Sequence, residues 1–509
     1  MSKDTEIDMK EVELNEMDPE KQPMTGHGQA AGGEKNGSVK LKVPEDEVTF
    51  TGLSKEELMK VAGTPGWVRT RWVLLVLFWL GWVGMLAGAI VIIIQAPRCK
   101  PIPDMSWWNE GPLYQIPDVK AFSSDLKGVE AKLDDINQLK VKALVLGPIH
   151  AVQPNQLATL ELQKIDSPLG TQDDLKAVLD KAHKKGISVV LDLTPDAKGS
   201  APWFNDNIDD VMEKVKAAAE YWLNLGVDGI KLSQLTVATN STDWSKLRAA
   251  VQGNRTDDTK KRALMGVVEG ISAPEVSRLV NTSGVDLVLS DLLSRNDGGV
   301  ERIRDMDSLS SEQRSVGWGL GAAQKDHLSK LATSLGLIRL YQLLLFTMPG
   351  TPVFTYGDEI GLNATEVSYN KVIWDIEKEP SKEAPKNDAE AVRTERVAIR
   401  KWFKDLSDLR GKERSLLHGD YYSLYSSASS LSFLRLWDQS ERYVTAVNWG
   451  SQAKTFTLKL APIEGVELPE SAEVKMSTDP DLAENSPVSL ENFTLGAGHA
   501  VLLHFPYIA

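Results

Sequence analysis

Apolar residues are sparse and unpatterned up to about Phe50, where Glu, Lys, Asp and Gly dominate and aromatic residues are few. A stretch of that kind cannot bury enough apolar surface to offset the entropy of ordering, and it predicts a disordered tail. From Thr51 the pattern changes. Ser54 and Glu57 have capping-box spacing, so a short helix is expected to start there, run to Val61 and stop at Gly63 and Pro65. Trp72 to Ile94 then reads WVLLVLFWLGWVGMLAGAIVIII, about 23 residues without a charge. At about 1.5 Å per residue this crosses a hydrocarbon core of about 30 Å. It has no polar face, unlike a helix on a soluble core. The long polar stretch before it argues against a cleaved signal peptide.

Beyond Pro103 short apolar runs alternate with helical patterns. The strand candidates are Pro112–Ile116, Ala143–Pro148, Ser188–Leu193, Gly229–Leu232, Ala263–Val268, Val285–Ser290, Ser315–Leu320 and Thr351–Tyr356. Several are continuously apolar, as expected of strands covered on both faces. Thr171–Lys185 and Val211–Leu225 are among the helical segments between them. Strand–helix repeats of this number predict a (β/α)8 barrel, with a doubly wound sheet as the alternative. From about Ser415 the texture becomes short alternating strands: Tyr421–Tyr425, Leu431–Trp437, Tyr443–Asn448, Thr455–Leu460 and Ala500–Phe505. These predict an antiparallel β domain.

The resulting division is a tail over 1–50, a juxtamembrane helix and linker over 51–71, and a membrane helix over 72–94. An extracellular linker follows over 95–106, then a barrel over 107–412 and the β domain over 413–509.

Charge adds an orientation. Lys55, Lys60, Arg69 and Arg71 precede the apolar stretch, whereas Arg98 and Lys100 follow it; the excess places the N-terminal side in the cytoplasm. The glycosylation sequons beginning at Asn240, Asn254, Asn281, Asn363 and Asn492 all lie downstream, on the side then exposed to the glycosylation machinery. Asn36 opens a sequon upstream, which would stay bare. The expected topology is single-pass, type II. Within the helix, Gly81, Gly84 and Gly88 share one face, where a second helix could approach closely; glycine is also simply common in membrane helices.

Composition narrows the chemistry. The net charge of -14 and pI near 5.2 argue against nucleic-acid binding, which needs a basic face. Seven scattered histidines and one cysteine give no metal-ligand spacing, so neither metal nor cofactor is expected. That cysteine, Cys99, lies just past the apolar stretch between Pro97 and Pro101. On an oxidising side a lone cysteine means an intermolecular disulfide or a free thiol.

Several motifs carry a resemblance. Pro349-Gly-Thr-Pro-Val-Phe-Thr-Tyr-Gly-Asp-Glu-Ile-Gly361 resembles the strand-eight motif of the α-amylase superfamily. Leu191-Asp-Leu-Thr-Pro195 resembles its strand-three motif, and Gly226-Val-Asp-Gly229 the approach to strand four. The resemblance implies a barrel followed by an antiparallel β-sandwich. A retaining glycosidase needs two carboxylates about 5 Å apart. Here the strand-four run continues as Lys231, Leu232 and Ser233, where the superfamily has an arginine, one residue and the nucleophilic aspartate. Val267 stands at the general-acid position of strand five, with Glu269 two residues on, on the same face if the strand continues. The strand-seven His-Asp pair is missing from Trp318–Ala322; Asp326 and His327 come later and in reverse order. Asp196-Ala197 replaces the strand-three Asn-His, leaving Asp192 alone. Trp203-Phe204 is soon followed by helix, so the inserted domain that covers substrate is expected to be absent. The implied scaffold is not an enzyme.

An acidic tail, one membrane helix, one juxtamembrane cysteine and a degenerate amylase-like ectodomain together resemble the heavy-chain subunits of heteromeric amino-acid transporters, of the 4F2 type. The likeness is strongest at Thr51–Lys60, Pro65–Trp72, Ala96–Cys99, Lys412–Asp420 and Phe505–Tyr507. It implies a non-catalytic accessory subunit that pairs through Cys99 with a polytopic light chain and brings it to the plasma membrane. The family is also implicated in integrin signalling, which implies an integrin β subunit as a further partner beside membrane lipid. An adhesion or signalling receptor without a transport partner, and a membrane-anchored glycoside hydrolase, are the competing readings.

Overall fold

The computed structural model describes residues 54–95, 99–151, 156–196, 203–204, 207–253, 261–294, 300–319, 327–332, 334–362, 388–462 and 466–507. The expected tail over 1–50 lies outside them. The chain forms two compact units, Met1–Pro97 and Arg98–Ala509.

The first unit contains two helices. α1 (Lys55–Ala62) begins at the expected capping box: the Ser54 hydroxyl accepts from the Glu57 N–H, and the Glu57 carboxylate accepts from Ser54. Gly63 closes it, its N–H donating to the Met59 carbonyl and the next N–H, of Thr64, to that of Val61. α2 (Pro65–Gln95) is 31 residues long, with no residue of its apolar window buried and a mean hydropathy of 2.4 there. It starts earlier than the apolar run. Proline suits a first helical position because its missing N–H would have had no partner anyway. The turns carrying Arg69 and Arg71 therefore belong to the same helix as the apolar segment.

In the second unit the parallel strands are β1 (Leu113–Ile116), β2 (Ala143–Leu146), β3 (Ser188–Asp192), β4 (Gly229–Leu232), β5 (Ala263–Val268), β6 (Leu287–Ser290), β7 (Val316–Trp318) and β8 (Thr351–Thr355). Each pairs with the next, and β8 pairs back to β1 with Leu113 opposite Val353. That closure excludes the doubly wound alternative. Both faces of every strand are buried. Leu113, Ala143, Val145, Val190, Met265, Val267, Leu289 and Val353 pack in the lumen, capped by Trp108. Their neighbours point outward onto the helices.

The helix Asp388–Lys412 leads to β9 (Asp420–Ser427), β10 (Ser430–Leu436), β11 (Arg442–Asn448), β12 (Lys454–Phe456), β13 (Ser471–Ser477), β14 (Pro487–Ser489), β15 (Phe493–Leu495) and β16 (His499–Phe505). Six of these form a sheet in the order β14-β13-β16-β11-β10-β9, and β12 pairs with β15. Alternation assigns the faces. Ala500 and Leu502 join the core shared with the barrel helices, while Val501, Leu503 and Phe505 face a second core containing Phe456 and Phe493. The expected strand Thr455–Leu460 is shorter because its backbone changes partners: the Leu458 N–H reaches Leu490 and the Lys459 N–H reaches Leu424. Strands β13–β15 are not among the expected strands, although Ala472, Val474 and Met476 alternate along β13 and Phe493 and Leu495 along β15.

Candidate functional site

The C-terminal rim of the barrel is where a fold of this kind places chemistry. β3 ends at Asp192, in register with Lys231 of β4. The Lys231 ammonium lies 3.1 Å from an Asp192 carboxylate oxygen, with both side chains under 5 % exposed (2 % and 4 %). It also donates to the Gln115 amide oxygen at 3.2 Å. The other Asp192 oxygen accepts from the Thr194 N–H at 2.9 Å and from the Thr194 hydroxyl. Thr194 in turn accepts from the Ser233 N–H at 2.9 Å. The one carboxylate retained at the expected position is thus engaged by an ammonium, a hydroxyl and a backbone N–H.

Ser233 is buried, and among the described residues its hydroxyl has no hydrogen-bond partner. His150, which follows β2 and was absent from the expected site, is buried near the Asp192 carboxylate and the Thr194 backbone. Burial pushes its imidazole down to about 4, against the pull of Asp192, so the ring is neutral near pH 7. Neither ring nitrogen makes a hydrogen bond of ordinary geometry, and Ser233 therefore has no bonded base to activate it. No sequence signal singles out His150, because only the pairing of β2 with β3 brings their ends together.

At strand five, Val267 is fully buried in the apolar lumen. β5 ends at Val268, so Glu269 lies beyond the strand and is exposed rather than sharing the lumen face. At strand seven Trp318 is buried; Asp326 lies outside the described residues. His327 is buried with Nδ1 3.7 Å from Asp358 and its ring against Tyr356. The strand-eight carboxylates serve the fold. Asp358 accepts from the Leu328 and Thr355 N–H groups at 2.8 Å each. Glu359 accepts from the Gly357 N–H and from the Tyr114 hydroxyl, and burial raises its pKa.

The remaining predicted residues lie elsewhere. Cys99 is exposed and free. The next residue is anchored, its N–H donating to the Asp438 carboxylate at 3.0 Å and its ammonium lying 5.8 Å from the Trp437 ring centre. Gly81, Gly84 and Gly88 lie on α2, and a Cβ at any of them would meet nothing within 4 Å. Asn240 and Asn492 are exposed in turns, whereas Asn281 is exposed in the last turn of the helix Ala273–Ser283. Asn254 and Asn363 lie outside the described residues.

Solved structures share this fold. An alpha-amylase from Geobacillus thermoleovorans covers 79 % of this chain and 99 % of its own, with a TM-score of 0.56 at 18 % identity. A debranching enzyme from Nostoc punctiforme covers 80 % and 100 %, with a TM-score of 0.59 at 19 % identity. Residues 118–210 match the family described as alpha amylase, catalytic domain. The class is therefore an amylase-fold protein whose chain also carries a long apolar helix.

Residues 38–114 match the family described as solute carrier family 3 member 2 N-terminus. Over their full lengths, the chain is 42 % identical to the amino acid transporter heavy chain SLC3A2 of Oryctolagus cuniculus and 43 % identical to that of Rattus norvegicus. It is 21 % identical to the human amino acid transporter heavy chain SLC3A1, over 89 % of this chain and 85 % of that one. The chain belongs to the SLC3A2 family of amino acid transporter heavy chains.

Proposed function

We propose that the chain is a non-catalytic accessory subunit, linked by a disulfide at Cys99 to a polytopic amino-acid transporter light chain that it stabilises and brings to the plasma membrane. The tail faces the cytoplasm and the barrel faces outward. The observation that carries this reading is the exposed, free Cys99 a few residues past the apolar α2, in a chain belonging to the heavy-chain family. Thiols on an oxidising side tend to be paired, and this chain offers no second cysteine. Exposed Asn240 and Asn492 fit glycosylation of that side. The glycine face of α2 is open to a second helix.

Loss of catalysis is supported by the rim chemistry. Hydrolysis needs a nucleophile and an acid, and the two positions hold a serine without a bonded base and a valine in an apolar lumen. The test is non-reducing electrophoresis of membranes containing the full chain, with the high-mass band identified. A band containing a polytopic amino-acid transporter supports the reading. A chain running only as a monomer, with surface transport unchanged on its depletion, overturns it.

A further inference from the structure

At the N-terminal end of the barrel two guanidinium groups are almost completely buried. Arg410 donates to the carbonyls of Phe346 at 2.6 Å and Met348 at 2.9 Å, and also to that of Gly350. Arg435 donates to the carbonyls of Thr347 at 3.0 Å and Gly419 at 2.8 Å, and to the Gln313 amide oxygen at 3.3 Å. Both close the C-terminal end of the helix Leu335–Thr347, whose negative dipole end suits one cation better than two. No carboxylate among the described residues forms an ion pair with either group. Carbonyl dipoles satisfy the Nη donors but carry no net charge; the Asp420 carboxylate acts on Arg435 and none acts on Arg410, and among the described residues the Nε of each has no hydrogen-bond partner. An arginine cannot shed its charge at ordinary pH, so the usual escape of a buried ion is closed.

Beside Arg410 lies a cavity of about 20 Å³ lined by Asn109, Gln313, Arg314, Thr351, Arg410 and His418, among others. A water needs about 10–15 Å³, so the cavity has room for one small particle. Every ionisable group lining it is basic, in a chain whose net charge is -14. The Gln313 amide oxygen is taken by Arg435, which leaves its NH2 as a donor. The Asn109 NH2 is already committed, donating to Thr351 at 3.1 Å and to the Arg314 carbonyl at 2.9 Å. We propose that this cavity binds one small monovalent inorganic anion of the chloride class, which offsets the buried Arg410 charge and ties the barrel floor to the β domain. The site is remote from the barrel rim and independent of the transporter reading.

The test uses the full chain in detergent. Sodium chloride is exchanged for sodium gluconate at constant ionic strength, because gluconate is too large for the cavity. Thermal unfolding and ³⁵Cl NMR linewidth are followed. The expected results are a saturable upward shift in Tm with chloride and excess line broadening that bromide displaces. Arg410→Gln should abolish both; because that variant is exposed to misfolding, His418→Phe, which fills the cavity without touching Arg410, and Arg314→Ala are measured beside it. In His418→Phe the chloride-dependent shift should vanish with the fold intact, and in Arg314→Ala the half-saturating chloride concentration should rise. A Tm indifferent to chloride against gluconate in the wild type overturns the proposal. So does a chloride effect of wild-type size in His418→Phe.

Discussion

The Lys231 ammonium stands 3.1 Å from the Asp192 carboxylate across the rim of the barrel, both side chains removed from water. Gln115 and Thr194 complete the bonds of the pair. The rim has become part of the core, and its energetics should follow the rules of buried pairs rather than of active sites.

Lys231→Met alone should therefore destabilise the chain by about 3–5 kcal/mol, since it strands a buried carboxylate. The double variant Lys231→Met, Asp192→Leu should recover most of that loss, because apolar replacement of a whole buried pair is often neutral. Urea unfolding of the three chains measures it. A double variant no more stable than the single would mean the pair is needed intact.

Activity on α-glucosides should be absent from the wild type and should stay absent in Ser233→Asp. An aspartate there supplies a carboxylate, but Val267 at the acid position lies in the apolar lumen and offers no second one. Release of nitrophenol from a nitrophenyl α-glucoside, compared with a buffer blank, is the measurement. Turnover above blank by the wild type would contradict the non-catalytic reading.

Cys99→Ser should remove the high-mass band from non-reducing gels yet leave much surface transport intact. A bond between partners already packed through their helices acts mainly by holding them at high effective concentration. Persistence of the band in the variant would reassign the disulfide.

Gly84→Leu should weaken association with the light chain by about 1 kcal/mol, by holding the helix backbones apart. Co-purification after reduction reports on packing without the covalent link. Recovery equal to wild type would move the interface to another face of α2.

The pH dependence of stability should carry the signature of His150. Its folded-state value is about 4 against an ordinary 6.5, so the unfolded chain binds the proton more readily between the two. Stability from this group is then fully present above about pH 6.5 and lost as pH falls towards 4. At 1.36 kcal/mol per pH unit the 2.5-unit difference amounts to about 3 kcal/mol. His150→Gln should flatten that part of the profile in urea unfolding between pH 4 and 7; an unchanged slope would place the acid sensitivity elsewhere.

The sequence by itself determined the elements whose cause is local. The capping box at Ser54 and Glu57, the apolar run that forms most of α2 and the doubly buried runs of β1 to β6 all follow from neighbours a few residues apart. That Ser233 and Val267 carry no carboxylate was equally legible, because it shows in the residue type alone. Tertiary structure decided what depends on strand pairing and packing. Pairing of β8 with β1 chose the barrel over an open sheet, and the register of β3 with β4 turned Asp192 and Lys231 into a pair. His150 entered the rim, and Arg410 and Arg435 met at the barrel floor, through contacts between residues far apart in the chain. Such contacts leave no periodic trace, since what fixes them is the shape of a closed barrel and of the sheet packed against it.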